Sequence, residues 1–287
     1  MLSPAVIGGD YPDSVKNCTA CHNEHRDFPT LDIFKGPHGV LADDRTGLEE
    51  LGCAACHGPS EGHARRPSEA PEVVFGPEGS SPREQDATCL ECHSGGTKMH
   101  WHGSPHEFQE VSCSSCHEVH TAHDPALDRD AQADSCYTCH SRERTDFHRP
   151  FAHPVRDGQL TCTDCHNPHG SSTPGDLHAT TLNESCYDCH AEKRGPFLWE
   201  HPPVREDCTQ CHQPHGSVHR DMLTQQTPFL CQQCHMAQFH PSTVQSGTGL
   251  PGDSRPSGST SMLGRDCMNC HTNVHGSNHP SGAGQTR

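Results

Sequence analysis

A five-residue motif, C-x-x-C-H, occurs ten times along this 287-residue chain and constrains its fold more than any other feature. The first cysteines of the ten copies are Cys18, Cys53, Cys89, Cys113, Cys136, Cys162, Cys186, Cys208, Cys231 and Cys267. The second cysteines are Cys21, Cys56, Cys92, Cys116, Cys139, Cys165, Cys189, Cys211, Cys234 and Cys270. Together they account for all 20 cysteines, so none is left for another role.

The spacing is the attachment signature of c-type haem, in which two thiols form thioethers with the porphyrin and the next histidine reaches the iron. These proximal histidines are His22, His57, His93, His117, His140, His166, His190, His212, His235 and His271. A zinc site would need each cysteine pair matched to a second pair of ligands. A disulfide framework gives no reason for a histidine after every pair. The motifs therefore predict ten covalently bound haem c groups.

The composition fits a chain whose core is its cofactors. Only 30% of the residues are hydrophobic, while 26 glycines and 24 prolines interrupt almost every candidate element. A core made of protein alone would need more apolar side chains. We therefore predict a multihaem cytochrome c that is mostly coil with short helices, an elongated haem wire with little regular secondary structure.

The segments between motifs repeat when the motifs are taken in pairs. Similar residues precede Cys89, Cys136 and Cys186, and the first members of successive pairs then recur after 47, 50 and 45 residues. This period predicts one decahaem cytochrome over residues 1–287, built as an array of similar units. The five dihaem units span approximately 11–66, 83–124, 131–174, 181–220 and 226–280. A Ser, Gly and Pro-rich stretch, 242–261, is predicted to be a loop.

The second axial ligands are predicted to be histidines. The chain has 28 histidines, ten of them in the motifs, but only six methionines. Bis-histidine ligation, and hence low reduction potentials, is expected. One set of candidates follows the first motif of each unit, namely His38, His106, His153, His201 and His240. A second set follows the second motif, namely His63, His120, His169, His215 and His275. The sequence leaves open which haem each one serves, and His25, His102 and His279 are alternatives.

Charge and hydropathy restrict the location and the partners. The formal net charge of −17 argues against nucleic acid and an anionic membrane surface as partners, because both are negatively charged. No apolar run approaches the ~18–20 residues of a membrane helix, so no direct membrane span is expected. Residues 1–7 lack the pattern of a secretory signal. Because covalent haem is attached to exported chains, we expect the signal to be removed or to lie outside this numbering. A periplasmic or cell-surface location follows.

Several stretches resemble one family of cytochromes. They are Ile33-Phe34-Lys35 before His38, Cys56-His57-Gly58-Pro59, the run from Glu192 to His201, and the run from Val274 to Gly282. Over most of its length the chain is similar to the MtrA/DmsE family of decahaem cytochromes. The resemblance implies a periplasmic protein that inserts into an outer-membrane β-barrel porin and passes electrons to an outer-surface multihaem cytochrome. It also implies two pentahaem halves, 1–145 and 146–287, and a periplasmic or inner-membrane cytochrome as donor or acceptor.

The leading prediction for function is an electron conduit across the outer membrane rather than an enzyme. Ten haems coordinated on both faces leave no open iron for a substrate, so no catalytic residue is predicted. Three alternatives stay open: a soluble periplasmic shuttle, a multihaem reductase and a subunit of an extracellular haem filament. Multihaem nitrite reductases carry a motif ending in Lys at their active haem, whereas all ten motifs here end in His. The direction of electron flow is left open.

Overall fold

The computed structural model describes residues 13–41, 43–235 and 266–286, and its helices are all short. The α-helices are α1 Asp13–Thr19, α2 Leu48–Leu51, α3 Ala54–His57, α4 Glu61–Arg65, α5 Pro82–Leu90, α6 Pro105–Phe108, α7 Gln132–Tyr137, α8 Ser141–Phe147, α9 Leu182–Tyr187, α10 Pro202–Glu206 and α11 Phe229–Gln232. The 3-10 turns are Thr30–Lys35, Pro37–Gly39, Asp44–Thr46, Gly96–Lys98, Cys113–Ser115, Cys162–Asp164, Ala191–Lys193, Cys208–Gln210, Arg220–Met222 and Cys267–Asn269. The predicted 242–261 loop and His240 lie outside the described residues.

Regular secondary structure is sparse, as predicted. The longest α-helix in the described ranges, α5, has nine residues and begins with a capping box in which Ser81 and Glu84 bond each other's backbone. Extended pairing in the described ranges consists of isolated β-bridges. None of the helices described is long and apolar enough to cross a bilayer. The described part of the chain is therefore mostly coil with short helices, as expected for the predicted fold class.

The two members of each predicted motif pair lie in different local structures. The first members lie in or at the end of α-helices, with Cys18 in α1, Cys89 in α5, Cys136 in α7, Cys186 in α9 and Cys231 in α11. Four of the second members begin 3-10 turns, at Cys113, Cys162, Cys208 and Cys267, while Cys53 precedes α3. This alternation gives the repeat in the sequence a counterpart in the backbone. The division into five dihaem units remains a prediction.

The apolar core of the described protein is small. Its buried hydrophobic side chains are Val15, Leu48, Trp101, Tyr137, Phe147 and Val155. Buried polar residues are more numerous, and several of them make hydrogen bonds between segments far apart in sequence. So few apolar side chains would bury little surface for a chain of this length. Most of the apolar interior must therefore come from the haem groups that the motifs attach.

The chain folds as two compact units, and each unit contains two separate ranges of residues. One unit comprises Met1–Cys139 and Thr161–Asp176, and the other comprises His140–Leu160 and Leu177–Arg287. Each unit is thus assembled from two separate stretches of the chain. The division into two pentahaem halves, 1–145 and 146–287, remains a prediction.

A glycine follows several of the predicted distal histidines, and the backbone explains why. Gly170 and Gly216 have φ values of +98° and +142°, which residues with a side chain rarely adopt. A Cβ atom at Gly170 would collide with the carbonyl oxygen of His100, and one at Gly216 with that of Asp146. Only glycine lets the chain pass this close to the neighbouring backbone at these two histidines.

Replacing Gly216 by alanine should therefore destabilise the protein by at least about 2 kcal/mol, from backbone strain and overpacking together. The thermal unfolding midpoint of the haem-loaded protein measures this. Gly96→Ala is the matched control, because Gly96 also has a positive φ, of +62°, but has no atom within 4 Å of its Cβ position. Equal unfolding midpoints for the two variants would show that the close approach at Gly216 does not matter.

Candidate haem sites

The C-x-x-C-H motif folds as one turn that brings its three functional side chains together. In nine motifs the backbone N–H of the histidine donates to the carbonyl oxygen of the first cysteine, over 2.8–3.0 Å. This is the i to i+4 bond of an α-turn, which places residues three and four apart on the same face. The two thiols and the imidazole of a motif can thus attach to a single porphyrin.

The thiols of the two motifs in each predicted unit are neighbours. All 20 cysteines lie in described residues, and none forms a disulfide. The first cysteines lie within hydrogen-bond reach of each other in five pairs: Cys18–Cys53, Cys89–Cys113, Cys136–Cys162, Cys186–Cys208 and Cys231–Cys267. Burial and the nearby Cys18 raise the pKa of Cys53 to about 12. At Cys162, by contrast, the hydrogen bond with Cys136 lowers the pKa of the thiol to about 7.

In three cases the second cysteine of the second motif in a unit lies near cysteines of the next unit. The pKa of Cys116 is raised, mainly by burial and to a smaller extent by the nearby Cys139. The pKa of Cys211 is raised in the same way by burial and by Cys234. The pKa of Cys56 is likewise raised, mainly by burial and to a smaller extent by Cys89 and Cys92. First cysteines are thus neighbours within a predicted unit, and in these three cases a second cysteine lies near the next unit. Within each compact unit, the attachment points follow one another in chain order.

A buried amide side chain joins the two motifs in three units. Gln85, Gln132 and Asn183 lie in the N-terminal part of the helix that carries the first motif, and all three are buried. Gln85 accepts a hydrogen bond from Ser114, Gln132 from the backbone N–H of Thr163, and Asn183 from that of Cys208. None of these three residues was among the predicted functional residues. The repeated segment before Cys89, Cys136 and Cys186 was the feature that could have identified them.

Seven motif histidines face a predicted distal histidine. The ring-centroid separations are 5.9 Å for His22–His63, 5.9 Å for His38–His93, 6.3 Å for His57–His120, 6.1 Å for His117–His169, 6.3 Å for His153–His190, 6.0 Å for His201–His235 and 6.1 Å for His212–His275. A separation of about 6 Å suits two imidazoles on opposite sides of one metal ion, with metal–nitrogen bonds of about 2 Å. His25, His102 and His279 belong to none of these seven pairs.

The other predicted ligands have different described contacts. His106 donates through Nδ1 to the carbonyl oxygen of Pro168 over 2.7 Å, and the ring of His215 lies 5.3 Å from that of Phe147. The Nδ1 atoms of His166 and His271 each donate to a backbone carbonyl over 2.6 Å, and His140 lies 3.8 Å from a carboxylate oxygen of Glu143. His240 falls outside the described residues.

Backbone contacts orient several distal candidates. His153 donates through Nδ1 to the carbonyl oxygen of Pro214, the residue before His215. His201 donates in the same way to Val274, the residue before His275. Isolated antiparallel bridges, Phe151 with Ser217 and Trp199 with Ser277, lie beside these two contacts. A bonded Nδ1 leaves Nε2 free for a metal and fixes the ring orientation.

Burial keeps several of these imidazoles neutral, which is the form that binds metal. Burial, followed by the nearby His117, lowers the pKa of His169 to about 4. Burial also lowers the pKa of His22, His38, His120 and His275. The thiols form no disulfides, each motif is folded as one turn, and the imidazoles that face each other are neutral. These residues therefore suit covalently bound haem.

Comparisons with known proteins identify the family to which the chain belongs. A family model described as "Doubled CXXCH motif" matches residues 153–195 and 201–240. A second, described as "Cytochrome c-type protein NrfB-like", matches residues 53–131. Each matched range holds two haem motifs and begins at a distal candidate, His153 in the first range and His201 in the second. By motif, fold class and family model, the chain is a multihaem c-type cytochrome.

One curated relative covers nearly the whole chain. "Multiheme cytochrome MtrA" of Shewanella baltica is 44% identical over 284 residues, which is 98% of this chain and 84% of the relative. The chain belongs to the MtrA family of multihaem cytochromes. "Cytochrome c-type protein NrfB" of Escherichia coli O6:H1 is 29% identical over 135 residues, covering 39% of this chain and 69% of that protein. The protein accordingly binds ten haem c groups and transports electrons.

Proposed function

We propose that this chain conducts electrons through ten bis-histidine haems across the outer membrane, inside a β-barrel porin, between the periplasm and the cell exterior. The observation that carries the proposal is the pairing of seven motif histidines with seven distal candidates at 5.9–6.3 Å. Haem supplies one-electron chemistry when bound. An iron held on both faces exchanges electrons without binding a substrate, so the pairing favours electron transfer over catalysis.

The pairs also favour a continuous array over five independent dihaem proteins. His38 of the first predicted unit faces His93 of the second, and His201 of the fourth faces His235 of the fifth. His57 and His120 make a similar contact between the first and second units. If each pair holds one iron, six of the seven haems are held by two units, and the haem between His22 and His63 is held within the first unit. Shared ligation fixes the spacing between successive haems, which electron transfer along an array requires.

The location and partners in the proposal rest on family membership and on charge. An acidic chain without an apolar membrane-spanning helix in its described part needs another protein to carry it through lipid. A β-barrel porin would meet that need. We propose a periplasmic cytochrome associated with the outer membrane, an outer-surface multihaem cytochrome as one partner, and a periplasmic or inner-membrane cytochrome as the other.

Gentle solubilisation of the outer membrane, followed by affinity capture of the tagged protein, tests the conduit. We expect a β-barrel protein in stoichiometric amount, accompanied by a second haem-rich protein. The same capture from a strain without the tag is the control. Recovery of the protein alone in the periplasmic fraction would contradict the porin partnership and support a shuttle.

A reductase is the second candidate, and the match of residues 53–131 to the NrfB-like family is the observation that bears on it. It would require at least one haem with an open or weakly held axial position. Absorption and EPR spectra of the oxidised protein distinguish the two functions. The conduit predicts ten low-spin haems, whereas a reductase predicts a high-spin component.

A further inference from the structure

One motif histidine has a different hydrogen-bond partner from the others with a described bond at Nδ1. The Nδ1 atoms of His57, His166, His212 and His271 donate to backbone carbonyl oxygens over 2.6–3.0 Å. His117 instead donates to a carboxylate oxygen, Oδ2 of Asp124, over 2.6 Å. His117 follows Cys113 and Cys116 and serves the fourth haem. Its partner therefore carries a full negative charge rather than a carbonyl dipole.

The position of Asp124 strengthens this contact. Its side chain is only 14% exposed, so solvent screens its charge weakly. The other oxygen, Oδ1, accepts the backbone N–H groups of Ala126 over 3.0 Å and Glu118 over 3.4 Å. These bonds hold the carboxylate in one orientation, with Oδ2 directed at His117. The carboxylate also lies near enough to His38 to favour a higher pKa there. Burial has the larger effect, and the pKa of His38 is lowered overall.

The histidine that faces His117 lacks a comparable partner. The ring of His169 lies 6.1 Å from that of His117, with the two planes only 10° apart. Its Nδ1 atom is buried and has no hydrogen-bond partner among the described residues. At the corresponding atom, His120, His153 and His201 all donate to backbone carbonyls. The two imidazoles of this pair thus differ in how strongly their surroundings draw the Nδ1 proton.

We propose that Asp124 is a positioning residue that makes the fourth haem electrochemically distinct, with a reduction potential below those of its bis-histidine neighbours. A carboxylate that accepts the Nδ1 proton increases the basicity of the imidazole and gives it partial imidazolate character. A more anionic ligand stabilises ferric over ferrous iron, which lowers the potential. The proposal rests on the axial role of His117 given above. The fourth haem would then have a lower reduction potential than the haems on either side of it in the array.

The test is Asp124→Asn in the full ten-haem protein, followed by redox titration and EPR of the oxidised form. Asparagine keeps an Oδ1 acceptor for the Ala126 and Glu118 N–H groups, but it removes the charge and replaces the oxygen that accepts from His117 by an NH₂ donor. We expect one haem equivalent to titrate at higher potential and one low-spin EPR signal to move. Asp130→Asn is the matched control, since it removes the same charge from an exposed residue in the same segment. Equal redox curves for the two variants would overturn the proposal.

Two further measurements keep the outcome unambiguous. The haem content of each variant is counted first from its pyridine haemochrome spectrum. If Asp124→Asn loses haem, Asp124→Glu retains the charge while displacing it, and a smaller upward shift of the same haem is expected. An unchanged potential in Asp124→Glu would then contradict the proposal. High-spin haem in the wild-type protein would instead contradict the axial pairs themselves, so the two failures are distinguishable.

Discussion

Replacing Cys208 and Cys211 together by serine should give a nine-haem protein that no longer conducts electrons along its array. Serine cannot form the thioether bonds, so the eighth haem is not attached. Cys208 lies beside Cys186 and Cys211 beside Cys234, so the missing haem is the link between the seventh and the ninth. Because electron tunnelling falls exponentially with distance, a gap of one haem should slow transfer by orders of magnitude.

The measurement is electron transfer across proteoliposomes made from the captured outer-membrane complex, with an enclosed dye as donor and an external acceptor. Gln210→Ser is the matched control, because residue 210 lies between the two cysteines and its substitution leaves both thiols in place. Mass spectrometry confirms the number of haems in each protein. A nine-haem protein that conducts at the wild-type rate would show that electrons do not pass through the eighth haem.

Replacing His120 by alanine should convert one haem in ten from low spin to high spin. The ring of His120 lies 6.3 Å from that of His57, and its Nδ1 donates to the carbonyl oxygen of Thr30 over 2.7 Å. Alanine supplies no ligand, so the second haem keeps only His57. The open position should bind carbon monoxide in the reduced protein, which the visible spectrum reports.

His123→Ala is the control for this substitution. His123 is exposed, lies three residues further along and is not among the seven facing pairs. It should leave all ten haems low spin and unreactive to carbon monoxide. A fully low-spin His120→Ala protein would mean that another side chain ligates the second haem. The variant also bears on the reductase alternative, since it creates the open iron that a reductase needs.

The cofactors and the candidate ligands could be predicted because they depend on residue type and local spacing. Each C-x-x-C-H motif is one turn, so five consecutive residues contain all the information needed to predict a haem. The distal set was identified from the positions of histidines such as His169 and His215 after the motifs. All fourteen histidines in the seven facing pairs were among the predicted ligands. His240 and the axial roles themselves remain predictions.

The pairing of ligands was decided by the tertiary structure alone. His93 faces His38, 55 residues away, and His120 donates to Thr30, 90 residues away. No local rule relates these positions, because they meet only when neighbouring segments pack against each other. The carboxylate at His117 is similar. Asp124 is one of 37 acidic residues, and its role depends on a turn that directs one oxygen at Nδ1.

The sequence by itself therefore determined the number of haems, their attachment points and the histidine character of their ligands, because covalent attachment and metal preference are properties of single residues and short motifs. The tertiary structure decided which histidines face each other, which thiols are neighbours and which imidazole has a charged partner. Those relations are distances between remote segments, and in a chain with so few apolar side chains they depend on polar contacts such as those of Gln132 and Asn183.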